Sequence, residues 1–255
     1  MKNRFIFFVA VLLFINTNCF NIKAEEFVFE STSIEITNNG NKIQAKDGVK
    51  VSTKNNIEIL ANESTYDKTK LVLSLNGNIK VNDRENNIII ESDNVTYYKN
   101  IEEIISKGNT IIHINNEYVI STSDIIYSKK ENIIKSKKSA TLEDNFGNKF
   151  ISKDFTFLVL DKIFKSKAIN LLDSEKNMYN FSESMVNIKT NEVIGKDINI
   201  NFRNDFFGNS ENEPRLKGNY ALSNKEETII KSGIFTTCKK NNKCPPWTIK
   251  STEIK

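Results

Sequence analysis

Hydrophobic and polar residues alternate along most of the chain after residue 25, a pattern typical of β-strands that bury one face. The alternation is clearest at Val49-Val51, Ile57-Ile59-Ala61, Leu71-Leu73-Leu75, Ile79-Val81 and Ile88-Ile90. Polar clusters at residues 38–41, 76–78, 83–87, 115–117 and 144–148 supply the expected turns. No apolar pattern of helical period persists over three turns. The sequence therefore predicts an all-β fold of roughly fifteen strands, at typical strand lengths of about five or six residues.

This pattern repeats with a period of about 30 residues. Five copies cover residues 57–66, 88–97, 118–127, 148–157 and, more weakly, 179–187. An aromatic column falls at Tyr66, Tyr97, Tyr127 and Phe157, and a small-residue column at Gly48, Gly77, Gly108 and Ser139. A repeat of this length indicates a stacked array of supersecondary units. We expect a repeat-built β-jellyroll or solenoid of stacked antiparallel strands.

A polar residue stands three positions before the end of each copy. These residues are Glu63, Asn94, Asp124, Asp154 and Ser184. A calcium ladder is one interpretation, but the paired glycines of calcium-binding β-roll repeats are absent. Short polar side chains that hydrogen-bond at strand corners explain the column better. The aromatic column is likewise interpreted as a packed stripe under each corner.

The first 24 residues have the features of a secretory signal. Lys2 and Arg4 precede an apolar run over residues 5–15, too short to span a bilayer, and Ala24 is a small residue at the expected cleavage point. Cys19 raises a lipoprotein alternative, but residues 16–18 lack the Leu and small residues that normally precede a lipidated cysteine. We expect the mature chain to begin after Ala24, outside the cytoplasm.

Charge and composition narrow the classes of function. Removing the signal takes away three basic residues and no acids, so the net charge falls from +4 to +1. A nearly neutral chain lacks the basic footprint of a nucleic-acid-binding protein, and no nucleic-acid partner is expected. Hydrophobic residues make up 38% and charged residues 27%, as in soluble folds with a real core.

Two cysteines remain in the mature chain, Cys238 and Cys244. Thiols are oxidised outside the cytoplasm, so a disulfide is the default expectation. A zinc site would need two further thiolate or imidazole ligands, and the only histidine is His113. A redox motif of the Cys-x-x-Cys type is disfavoured because five residues separate the two cysteines. No metal or other cofactor is predicted.

The sequence contains no GxxxxGK[ST], HExxH or GxSxG motif, and no pair of acids stands out as a general acid and base. Glycosidases and lyases built on β-solenoids carry little local signature, so an enzyme stays an open alternative. The interpretation we favour is a binding protein without catalytic activity.

The segment after the repeats carries a family resemblance. From residue 213 it reads EPRLKGNYALSNKEETIIKSGIFTTCKKNNKCPPWTIKSTEIK. A Pro-Arg-Leu-x-Gly segment, a Thr-Thr-Cys followed by a second Cys, and a Pro-Trp pair resemble the junction of the LptD family of lipopolysaccharide-assembly proteins, also called organic solvent tolerance proteins. The preceding repeats look like the OstA-like domain shared with the periplasmic bridge protein LptA. The resemblance covers essentially the whole mature chain.

The resemblance implies a division of the chain. Residues 1–24 are the signal, 25–212 the OstA-like repeats, and 213–255 a junction that leads to an outer-membrane β-barrel. The sequence ends at Lys255 in an unfinished strand, so a fragment or a truncated product is expected. In the family, cysteines of the periplasmic part pair with barrel cysteines. Whether Cys238 pairs with Cys244 or with a barrel cysteine therefore stays open.

The implied function is lipopolysaccharide transport at the outer membrane. Acyl chains would lie in an apolar groove on the inner faces of the strands and pass towards the outer membrane from the periplasm. Candidate groove residues are Ile57, Ile59, Leu71, Leu73, Ile88, Ile90, Val95 and Tyr97. The same residues would form a dry core if the two sheets close. The implied partners are lipopolysaccharide, an LptA-like bridge that pairs with an edge strand, and an LptE-like lipoprotein if a barrel is present. An LptA-like bridge and an exported structural or adhesive solenoid are the alternatives.

Overall fold

A computed structural model describes residues 27–240 and 247–255, which form a single antiparallel sheet of 19 strands. The strands are β1 (Phe27–Thr37), β2 (Lys42–Thr53), β3 (Ile57–Ala61), β4 (Glu63–Asp67), β5 (Val72–Asp83), β6 (Ile88–Tyr98), β7 (Glu103–Ile114), β8 (Tyr118–Ser123), β9 (Ile126–Ser128), β10 (Ile133–Ser136), β11 (Ala140–Asp144), β12 (Lys149–Ser152), β13 (Phe155–Leu158), β14 (Ile163–Leu172), β15 (Met178–Asn187), β16 (Glu192–Asn201), β17 (Arg215–Ser223), β18 (Thr228–Thr236) and β19 (Ile249–Ile254). A short 3-10 helix spans Asn204–Phe207. None of the described residues form a helix long and apolar enough to cross a membrane. The predicted all-β class is confirmed.

Long strands bend, and each half of a bent strand pairs with a different partner. The first half of β2 pairs with β4, where Ile43 faces Tyr66, while its second half pairs with β3, where Val51 faces Ile59. The same arrangement recurs along the chain, because β7 pairs with both β8 and β9, and β14 with both β12 and β13. The sheet therefore folds over a line of corners into two layers, with inward side chains between them.

Glycines build the first three corners. Gly48, Gly77 and Gly108 adopt φ values of 88°, 76° and 83°, a left-handed region in which a side chain is strained. They are the predicted small-residue column, and the register of β5 shifts between Asn76 and Ile79. Residues 76–78, predicted as a turn, are instead a bulge inside β5, because Gly77 lets the strand bend without ending.

The later corners use other residues. Ala168 in β14, Asp197 in β16 and Ser232 in β18 have φ values of 50°, 49° and 54°. Ser139 of the predicted column lies between β10 and β11, where the strand is interrupted. The corner is thus a property of the stack, and the residue that occupies it varies.

The hydrophobic core runs along the whole stack between the two layers. The predicted aromatic column is a packed stripe, since Tyr66 is 5% exposed and Tyr97, Tyr127 and Phe157 are no more than 1% exposed. The ring of Phe27 in β1 packs edge-on against Tyr66 at 4.8 Å between centroids. The strands β17, β18 and β19 continue the same stack, because β17 pairs with β16 over eight residue pairs.

The stack ends in an edge strand at each side. Among the described strands, β1 pairs with β2 alone and β19 pairs with β18 alone. Apolar side chains of β1 are exposed, with Val28 at 58% and Ile36 at 62%. An exposed strand edge presents unpaired backbone groups that a further strand can pair with.

Candidate functional site

The connections between strands line up in two rows at the open ends of the folded sheet. The first turn edge contains the connections β2–β3, β5–β6, β7–β8, β11–β12, β14–β15, β16–β17 and β18–β19. The second turn edge contains β1–β2, β4–β5, β6–β7, β9–β10, β13–β14, β15–β16 and β17–β18. Backbone hydrogen bonds link successive turns within an edge, for example from Asn115 N–H to the carbonyl of Asn87. Whether the interior is a groove or a core depends on whether these two edges meet.

The two edges do meet over the first part of the stack, and we call their contact the seam. Asn55 on the first edge donates from Nδ2 to Oε1 of Glu102 on the second, at 2.8 Å. Further along, the Tyr118 hydroxyl donates to Oδ1 of Asn191 at 2.8 Å. The seam closes the interior from solvent between these points.

The seam is strongest at a buried polar group, the seam cluster of Asp83, Asn86, Tyr127 and Lys129. Oδ2 of Asp83 accepts hydrogen bonds from Lys129 Nζ at 2.8 Å, from Asn86 Nδ2 at 2.8 Å, and from the Tyr127 hydroxyl. Asp83 is 1% exposed and Lys129 8%. Lys129 also donates to Glu85 at 3.1 Å, so every buried charge is paired.

Burial by itself would raise the pKa of the Asp83 carboxyl. The hydrogen bonds from Lys129, Tyr127 and Asn86 outweigh that effect and hold the pKa below its usual value. For Lys129, burial favours the neutral amine, but Asp83 and Glu85 raise the pKa overall. Burial raises the pKa of the Tyr127 hydroxyl well above its ordinary value, and the neighbouring Asp83 carboxylate raises that pKa further. Asp83 and Lys129 are therefore an ion pair at neutral pH.

The candidate groove residues lie inside this closed region. Seven of them are buried and no more than 3% exposed, namely Ile57, Ile59, Leu73, Ile88, Ile90, Val95 and Tyr97. The prediction for Leu71 is corrected: it lies in the turn before β5 with φ of 56°, and its carbonyl accepts a hydrogen bond from Lys99 N–H. The Leu71 carbonyl bonds to the next turn of the second edge, so Leu71 belongs to the turn. The strand β5 therefore begins one residue later, at Val72.

Beyond Tyr118 and Asn191, no hydrogen bond or ion pair joins the two edges in the portion of the chain described. Some side chains that line the interior there are only half-buried, among them Leu171, Tyr179, Phe202 and Phe235, whereas others stay buried, such as Ile198, Ile200 and Leu216. The first edge also lengthens, since the connection from β16 to β17 covers residues 202–214. Part of the apolar interior therefore reaches solvent towards the carboxyl-terminal end.

Five aromatic rings gather at this end, and we call them the aromatic mouth: Phe202, Phe206, Phe207, Phe235 and Trp247. Ring centroids lie 4.8 Å apart for Phe202 and Phe206, and 5.5 Å apart for Phe207 and Phe235. Phe207 is 52% exposed and Trp247 43%. A cluster that joins the core on one side and solvent on the other is suited to receive an apolar ligand.

The predicted cysteine pair and signal cannot be placed, because Cys244 and residues 1–24 lie outside the described residues. Cys238 is half-buried, and its carbonyl accepts a hydrogen bond from Nη1 of Arg215. Cys238 Sγ lies 3.9 Å from the carbonyl oxygen of Trp247. The junction cysteine is thus placed beside the aromatic mouth.

Two of the five residues in the polar column accept hydrogen bonds from backbone N–H groups at the strand corners. Oδ1 of Asp124 accepts the N–H of Gly108 at 2.9 Å, and Oδ1 of Asp154 accepts the N–H of Lys167 at 3.3 Å. Glu63 and Asn94 are exposed, and the hydroxyl of Ser184 is buried without a partner. The described residues contain no group of three or more potential metal ligands.

Sequence reasoning missed the seam cluster and the aromatic mouth. Asp83 ends β5 and Lys129 lies in the turn after β9, both within polar stretches, and nothing local marks them as partners 46 residues apart. The phenylalanines at 206 and 207 did offer a signal, because two adjacent aromatics in a polar connection are unusual in a soluble chain.

No family model matches the chain, and no curated protein matches it. A similar solved structure is the crystal structure of LptH, the LptA-homologous periplasmic component of the lipopolysaccharide transport device from Pseudomonas aeruginosa. The two chains are 14% identical, the match covers 55% of this chain and 81% of that one, and the TM-score is 0.24. A similarity this weak supports no conclusion about function.

Proposed function

We propose that this chain is an exported, non-enzymatic carrier of lipopolysaccharide, in the role of the periplasmic part of an LptD-like translocon. The observation that carries the proposal is the apolar interior. It runs along the whole stack, is closed by the seam in its first part, and reaches solvent at the aromatic mouth. The LptD-like role rests on the sequence resemblance of the junction, and export rests on the predicted signal.

The energetics of the ligand favour such an interior. Each methylene group exposed to water costs about 0.8 kcal/mol, so an acyl chain of a dozen carbons needs an apolar path through an aqueous compartment. The inward side chains in the closed part are aliphatic and aromatic. To admit an acyl chain there, the two layers must separate at the seam, whereas the carboxyl-terminal part already has fewer bonds to break.

Photo-crosslinking tests the path of the lipid. A benzophenone amino acid at Phe235, in the aromatic mouth, should label lipopolysaccharide in cells, while the same group at the adjacent Ile234 should not. Phe235 is half-buried and packs against the core, whereas Ile234 is 41% exposed on the opposite face of β18. Ile59 and Glu58 form a second pair in the closed part, with Ile59 inward and Glu58 outward.

Equal labelling from both members of a pair would contradict an inward lipid path. Labelling at Phe235 but not at Ile59 would restrict the path to the carboxyl-terminal part. Absence of label at all four positions, with lipopolysaccharide present and the protein folded, would remove the proposed function.

The free edge of β1 is proposed to pair with the edge strand of an LptA-like bridge. Charged side chains of β1 are few, and its exposed Val28 and Ile36 leave the strand open to addition. A photo-crosslinker at Ile36 should capture a purified bridge protein. One at Leu160, which is 68% exposed in a turn away from β1, should not. Capture at both positions would contradict pairing through the edge.

A further inference from the structure

A second cavity lies on the outer face of the carboxyl-terminal part, and we call it the outer cavity. Its volume is about 740 Å³. Lys135, Thr156, Lys165, Met185 and Ile194 stand in register across neighbouring strands and form one wall. Their inward neighbours in sequence, such as Ile134 and Phe164, are buried in the core. The sheet therefore separates the outer cavity from the interior.

The lining combines an apolar surface with an excess of positive charge. Ile126, Met185 and Ile194 supply apolar atoms, while six lysines and three acids supply the charge. Lys138 pairs with Asp124 at 3.7 Å, and Lys196 with Glu183 at 3.0 Å. The other four, Lys135, Lys137, Lys165 and Lys167, have no carboxylate partner among the residues described. In a chain close to neutral, this is a local concentration of unpaired cations.

We infer that the outer cavity binds an anionic amphiphile. Its acyl chain would lie on Ile126, Met185 and Ile194, and its charged headgroup would meet the unpaired lysines. The volume falls within the range of about 300–1,000 Å³ typical of small-molecule sites, enough for a ligand with one or two chains. This site is distinct from the proposed transport path, and it does not depend on that proposal.

Calorimetric titration with dodecyl phosphate, kept below its critical micelle concentration, tests the site. The purified protein should bind it, and the double variant Lys135→Gln/Lys165→Gln should bind about tenfold more weakly, because charge-assisted hydrogen bonds to the headgroup are lost. The matched control is Lys42→Gln/Lys107→Gln, which removes the same charge from two unpaired lysines outside the outer cavity. The control should bind like the wild type.

The remaining probes distinguish the chemistry. Inorganic phosphate bound as tightly as dodecyl phosphate would overturn the amphiphile in favour of a simple anion site, and equal binding of neutral dodecyl maltoside would overturn the anionic headgroup. Unchanged affinity in Lys135→Gln/Lys165→Gln would overturn the location. Lipopolysaccharide labelling through Phe235 should be the same in that variant, so failure here is distinguishable from failure of the transport proposal.

Discussion

The amino-terminal and carboxyl-terminal halves of the stack follow the same strand pattern but differ in how far their two turn edges are bonded to each other. In the first half, turns of three or four residues on the first edge meet the second edge, and the interior is closed. Beyond Tyr118 and Asn191, the connection over residues 202–214 is long, the edges share no hydrogen bond within the described chain, and several apolar side chains of the interior are half-exposed. The same strand pattern therefore accompanies a closed interior where the edges bond to each other and a partly exposed one where they do not.

The largest expected contrast between the halves is in core packing. Ile59→Ala should lower the free energy of unfolding by about 2–5 kcal/mol, because Ile59 is fully buried and its truncation leaves a cavity. Leu171→Ala, which truncates a half-buried side chain of the carboxyl-terminal interior, should cost less, about 1 kcal/mol. Urea unfolding of both variants measures the contrast. Equal losses would mean that the second half is as tightly packed as the first.

The next contrast concerns the seam. Asp83→Asn should destabilise the protein by about 3 kcal/mol, since it leaves the buried ammonium of Lys129 without its main partner. Glu85→Gln removes the exposed partner of the same lysine, with a side chain that is 63% exposed, and should cost less than about 1 kcal/mol. The measurement is urea unfolding at pH 7. A similar small loss in both variants would show that the seam cluster does not hold the edges together.

Acidification should erase the effect of Asp83→Asn. The folded-state pKa of Asp83 is lowered, so its contribution to stability is complete above the unfolded value near 4 and is lost as the pH falls through the folded pKa. The difference between wild type and Asp83→Asn should therefore be constant from about pH 7 to 5 and shrink below about pH 4. A difference that grows in acid would contradict the ion pair.

The smallest contrast is at the corners. Gly108→Ala should cost about 1 kcal/mol, because a φ of 83° strains any side chain, although no atom lies within 4 Å of the added methyl group. Ala168→Gly should be neutral or stabilise by up to about 1 kcal/mol, because it removes a similar strain. The greater freedom of the unfolded glycine chain offsets part of that gain. Thermal unfolding of the two single variants gives both signs. Destabilisation by Ala168→Gly would indicate that the alanine methyl group packs favourably at its corner.

Much of the fold was accessible from sequence because its determinants are local. Alternation placed the inward residues of β3 and β6, and the repeat period placed Tyr66 and Tyr97 in one buried stripe. The glycine corners could also be predicted, because a left-handed backbone favours glycine. Local alternation failed at Leu71, where bonding between successive turns outweighed the apolar character of the side chain.

The candidate sites were less accessible for a physical reason. The seam cluster joins turns that are far apart in sequence, and its residue types are those of any solvated turn. The corners at Ala168, Asp197 and Ser232 have positive φ values, which these residue types do not predict. The outer cavity depends on which outward side chains stand in register across five strands, and a sequence read strand by strand does not contain that alignment.

The seam has a consequence for the order of assembly. Each seam contact joins a residue to a partner much later in the chain: Asn55 to Glu102, Asp83 to Lys129, and Tyr118 to Asn191. In a chain made from its amino terminus, each closure is delayed until a later unit has emerged. Long sequence separations slow folding, so strand halves exposed during that delay remain available to other molecules. We expect the seam of the nascent protein to close stepwise, 46 to 73 residues behind synthesis. The growing end should then be most vulnerable to proteases and to wrong strand pairing.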